Sequence, residues 1–120
     1  MNPPRAVRAT DQWFSVNDEP KALYGFAAHY WRLDREKWSP ILEEVKRMGF
    51  TTVSIYIPWE VHEVARGEFT FEGNRDINAF LTLIEEKDLD IVVRPGPQIN
   101  SELTWFGYPC ASWRTRSCRR

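Results

Sequence analysis

A chain of 120 residues holds one domain at most, and an apolar fraction of 42% is enough to furnish a core. The net charge of −1 conceals an acidic body: four arginines sit in residues 114–120, which leaves a net −5 on residues 1–113 and argues against nucleic acid as the main partner. The two cysteines, Cys110 and Cys118, fall at that basic end with a spacing that fits neither a disulfide framework nor a zinc set, so they read as free thiols and no metal or cofactor is expected.

Residues 1–12 read as a loose lead-in. They contain no apolar core long enough for a signal peptide, and no run in the chain approaches a membrane span, so a cytosolic protein with no membrane partner is expected. WFSV (13–16), NDEP (17–20) and KALYGFAAHY (21–30) read as strand, turn, strand, because Asn17, Asp18 and Pro20 are turn chemistry between β-rich runs. Ser39-Pro40 suits a helix start, and Ile41, Leu42, Val45 and Met48 supply its apolar stripe before Gly49 stops it. TTVSIYI (51–57) is β-branched and mostly apolar, which suits a strand covered on both faces. Residues 62–74 read as a loop in which Phe69 and Phe71 are candidate pins. Asn74 is a candidate cap for a second helix carrying Ile77, Phe80, Leu81 and Ile84 at i, i+3, i+4 and i+7. LDIVV (89–93) closes the series as a short buried strand.

The order β-hairpin, α, β, α, β implies a parallel sheet with right-handed crossovers. Three parallel strands cannot close a barrel, so one sheet edge stays open and the unit reads as the start of something larger. The strand ends then gather at one side. His29 and Tyr30 follow the first, Tyr56 to His62 the second, and Arg94 to Tyr108 the third, the arrangement that builds active sites in α/β barrels. A sugar needs a flat apolar surface beneath it and polar groups that chelate its hydroxyls. Tyr56, Trp59 and Trp105 are candidates for the first role, Asn100 and Glu102 for the second. Core tryptophans and an ordinary solvated glutamate explain the same residues, and on chemistry alone that plainer reading is the stronger. His29 and His62, which lack any metal-ligand spacing, read as hydrogen-bonded structural histidines.

GFAAHYWR (25–32), KRMGF (46–50), SIYIPWEVHE (54–63), GEFTFEGNRDINAF (67–80), VVRPGPQINSE (92–102) and GYP (107–109) follow one another in an order that resembles glycoside hydrolase family 35. Most telling are W-x-x-H-E, then G-x-F-x-F-x-G-x-x-D, then R-P-G-P. The resemblance covers residues 13–109 and implies a β-galactosidase-like enzyme on a (β/α)8 barrel. The expected fold class is thus α/β: the first three β/α units of a TIM barrel, preceded by a β-hairpin strand, in an incomplete barrel. It implies that Tyr56 contacts the sugar ring and that Asn100, Ser101 and Glu102 form a substrate-binding segment, Glu102 holding sugar hydroxyls without donating a proton. Arg94, His29, His62 and Glu63 match positions that mainly shape the site. Gln98, Ser101 and Leu103 depart from the family pattern.

Retaining glycosidases work with two carboxylates about 5–5.5 Å apart. The resemblance places the acid/base after the fourth barrel strand and the nucleophile after the seventh, so no catalytic residue is expected here. Residues 110–120 read as a basic tail outside the family pattern, in keeping with a truncated or frame-shifted stretch of a longer gene. The expectation is an inactive fragment of a glycoside hydrolase with a carbohydrate substrate. A stand-alone carbohydrate-binding module and a truncated product without function are the rival readings.

Overall fold

The computed structural model describes residues 5–99 and 103–109. Asn17 and Asp18 both take positive φ, 53° and 67°, as a two-residue hairpin turn requires and as short Asx side chains tolerate. That turn joins β2 (Phe14–Val16) to β3 (Glu19–Lys21). A further strand, β1 (Val7–Ala9), pairs antiparallel with β2 on its other edge. The reading of residues 1–12 as a loose lead-in is therefore corrected for its described part, residues 5–12. Asn17 locks that segment twice: its amide donates to Ala6 O at 2.8 Å, and its side chain accepts from Ala6 N at 3.0 Å. The run 21–30 is corrected too. It divides between β3 and β4 (Gly25–Ala27), which belong to different sheets.

The second sheet has the order β4-β5-β8, from β4, β5 (Thr52–Ile57) and β8 (Asp90–Pro95), and both pairings are parallel. Helices α1 (Trp38–Arg47) and α3 (Ile77–Glu86) make the connections. A 3₁₀ turn over Arg35–Lys37 runs straight into α1, so the helix opens at Trp38 and not at Ser39. The core stripe shifts accordingly to Trp38, Leu42 and Val45, leaving Met48 64% exposed. Gly49 stops the helix at φ +91°, with Gly49 N donating to Lys46 O and Phe50 N to Val45 O, the paired bonds of a Schellman ending. In α3 the cap is Asp76, whose carboxylate accepts from Ala79 N at 2.9 Å. Asn74, the expected cap, lies instead in a 3₁₀ turn over Gly73–Arg75.

The two helices bury one face of the parallel sheet. Val53 and Ile55 of β5 are fully enclosed with Trp38, Leu42, Phe80 and Ile84, and the Trp38 and Phe80 rings meet edge to face at 5.1 Å. Strand alternation sends Ser54 and Tyr56 to the opposite face, which no described element covers with a hydrophobic layer, so the expectation of a strand covered on both faces is corrected. β8 has β5 as its one neighbour among the described residues. As a result Val92 and Val93 are 37% and 43% exposed, and the expectation of a buried third strand is corrected. The antiparallel sheet is tied to the start of β8 by ion pairs of Arg5 and Lys21 with Asp90, the end opposite the C-termini of the parallel strands. Between β5 and α3 the expected loop contains structure: α2 (Trp59–His62) and a small hairpin of β6 (Glu63–Ala65) and β7 (Glu68–Phe69).

Candidate functional site at the strand ends

Parallel pairing sets Tyr56 directly beside Arg94, and Ser54 beside Val92. The Arg94 guanidinium uses this register. Its Nη1 donates to Tyr56 Oη at 2.7 Å, while Nη2 and Nε both donate to Ser54 Oγ, at 2.7 and 3.1 Å. The guanidinium carbon also lies 4.6 Å from the Tyr56 ring centroid, close enough for a cation–π contact. On its other side Tyr56 stacks with His29 at 5.7 Å and 23°, and His29 meets Trp31 at 5.0 Å. A phenol hydroxyl, a guanidinium and an aromatic row thus share the uncovered face at the C-terminal ends of β4, β5 and β8.

Asn100, Ser101 and Glu102 lie outside the described residues, as do Cys110 and Cys118. Of the aromatic candidates, Trp59 and Trp105 are 39% and 43% exposed, but the ring that packs on Tyr56 is His29. Trp38 is fully buried in the core, and Trp31 packs against it partly buried.

His62 is 3% exposed and fully occupied. Its Nδ1 donates to the Thr70 carbonyl at 2.9 Å, which leaves Nε2 as the acceptor for the Tyr30 hydroxyl at 2.6 Å. The Phe71 ring stacks on it at 4.6 Å. Burial first, and the nearby Arg75 charge second, hold the imidazole below its ordinary value, against the opposing pull of the Thr70 carbonyl. Burial pushes the Tyr30 phenol well up. The histidine is therefore a neutral brace that ties α2 to the Tyr30–Arg32 turn and to the segment after β7. Glu63 closes the adjoining hairpin by accepting from Gly67 N at 2.7 Å.

Segments following all three parallel strands also line a cleft of about 590 Å³, with Arg32, Glu60, Glu72 and Arg75 among its walls, a size in the range of ligand sites. Ser54 and Thr70 were not singled out by the sequence, and Tyr30 was named there only as the end of the first strand. Ser54 had one signal, a hydroxyl breaking a β-branched run two residues before Tyr56. Among the described residues no His, Cys, Asp and Glu cluster is suited to a metal, and no helix is long and apolar enough to cross a membrane.

The model of glycosyl hydrolases family 35 matches residues 13–119. The chain belongs to this family. Beta-galactosidase-1-like protein 2 of Homo sapiens is 40% identical over 100 residues, which is 83% of this chain and 15% of that protein. The Beta-1,2-glucosyltransferase of Ignavibacterium album is 37% identical over 108 residues, 87% of this chain and 15% of its own length. Beta-galactosidase of Mus musculus is 33% identical over 96 residues, 80% of this chain and 15% of its length. The chain thus spans about 15% of these relatives. The family match runs ten residues past Pro109, where the motif resemblance stops.

Proposed function

We propose that the β4-β5-β8 sheet with α1 and α3 is the first three β/α units of a family 35 (β/α)8 barrel, and that it supplies part of the sugar-binding surface of a retaining β-galactosidase-like glycoside hydrolase. The observation that carries this reading is the Tyr56 hydroxyl, held by Arg94 on the uncovered face at the C-terminal strand ends. That is where barrel enzymes bind their substrates. An inward face lined by Ser54, Tyr56 and Arg94 suits a polyhydroxyl ligand, since each offers a hydrogen bond and His29 and Tyr56 offer ring surface. Asn100, Ser101 and Glu102 are assigned to substrate binding on the family motif.

Within this chain no carboxylate is assigned to catalysis, because the proposed acid/base and nucleophile belong to later barrel strands. The purified 120-residue chain is expected to give no turnover of an aryl β-galactoside above background, since proton transfer and covalent catalysis are both missing. Turnover that survives repurification and the Glu102→Gln change would contradict the assignment. The relative named as a glucosyltransferase favours a second reading, sugar transfer to an acceptor other than water. Release of a transfer product when the full-length relative of this chain is given both donor and acceptor sugars would select it.

A further inference from the structure

We propose that Ser54 and Arg94 are positioning residues that turn the Tyr56 hydroxyl into an outward hydrogen-bond donor, so that this corner accepts neutral or anionic sugars and rejects protonated amino sugars. The proposal rests on the carbohydrate reading above and deepens it.

The geometry leaves little choice. A phenol oxygen carries one proton and accepts through its lone pairs. Arg94 Nη1 fills an acceptor position of Tyr56 at 2.7 Å, and two donors cannot point at one another, so the phenol proton faces away from the guanidinium. Ser54 removes the remaining freedom of the cation, because Oγ accepts from both Nε and Nη2. Three of the five guanidinium N–H groups are then spent on the protein, and two remain for a ligand. Among the described residues no carboxylate pairs with Arg94, and its side chain lies exposed on the uncovered face. His29, stacked on the far side of the Tyr56 ring, confines the ring plane. The corner consequently offers donors and a fixed positive charge. Sugar oxygens and carboxylates complement that, whereas an ammonium group meets the like charge of Arg94.

Two readouts on the 120-residue chain test this. With ¹⁵N-labelled arginine, a guanidinium locked between Ser54 and Tyr56 gives separate, slowly averaging Nη signals. Ser54→Ala and Tyr56→Phe should each merge them, and averaged signals in the unmodified chain would overturn the proposal. The second readout is titration with galacturonate, galactose and galactosamine at about pH 6, where the amine is protonated, following the Tyr56 ring signals. Galacturonate and galactose should bind at least about fivefold more tightly than galactosamine. Arg94→Gln should erase that order, and Arg94→Lys should restore the discrimination against the amine without fixing the Tyr56 ring. Galactosamine binding as tightly as galacturonate overturns the positioning proposal alone. Tyr56 signals unmoved by all three sugars overturn the carbohydrate reading and this proposal with it.

Discussion

The two faces of one strand behave as different materials. On one face of β5, Val53 and Ile55 are completely buried beneath α1 and α3. On the other, Ser54 and Tyr56 hold a guanidinium in the open. A period of two residues separates them, so a single short segment contributes both to the core and to the candidate site. The lesson is a division of labour: substitutions on the helix side should cost stability, and substitutions on the open side should alter binding while the fold persists.

The largest effect expected on the helix side comes from Trp38, fully buried against Phe80 with its indole N–H donating to Tyr30 O at 3.2 Å. Trp38→Ala should cost about 3–5 kcal/mol, which a domain of this size hardly survives. Urea unfolding checks it, and a variant with an unchanged midpoint would break the comparison.

Tyr30→Phe is the finer cut. It keeps the ring against Phe80 but strips the donor from His62 Nε2, and an unsatisfied buried acceptor costs about 1–3 kcal/mol. A loss well below that range would show that His62 finds another partner, and the brace would lose its assigned part in holding α2.

The pH dependence of stability should be smaller still and of definite sign. His62 is held below its ordinary value in the folded chain, so the unfolded chain binds the proton more readily. The stability it lends is whole above the unfolded value of about 6.5 and is lost as pH falls from there toward the folded value. Unfolding midpoints measured between pH 8 and 5 should fall on the acid side, and His62→Asn should flatten that part of the profile. An unaltered slope in the variant would assign the effect to other groups.

Which parts of this were legible in the sequence follows from range. TTVSIYI announced β5 by local composition, and helical period, a local property, made the α3 stripe readable and, in α1, Leu42 and Val45 but not Trp38. β1 was not, since Val7 to Ala9 become a strand only through pairing with residues 14–16. The Asn74 cap failed by two residues, because the chain spends Gly73–Arg75 on a 3₁₀ turn and Asp76 then meets the first free amides. For the site, Tyr56 was identifiable as the aromatic residue near the end of a strand. Its fixing by Arg94 depends on a parallel register between segments some 40 residues apart, which no local pattern encodes.

The most direct test of the division between the faces is calorimetric titration of the 120-residue chain and its Tyr56→Phe variant with galactose, each paired with its urea midpoint. The variant loses one hydroxyl, so galactose affinity should fall by roughly 2- to 12-fold, as for a neutral hydrogen bond of about 0.5–1.5 kcal/mol, while the midpoint stays within experimental scatter. Equal affinity in the two proteins, or a fall in stability matching the fall in binding, would contradict the claim that the open face serves the ligand.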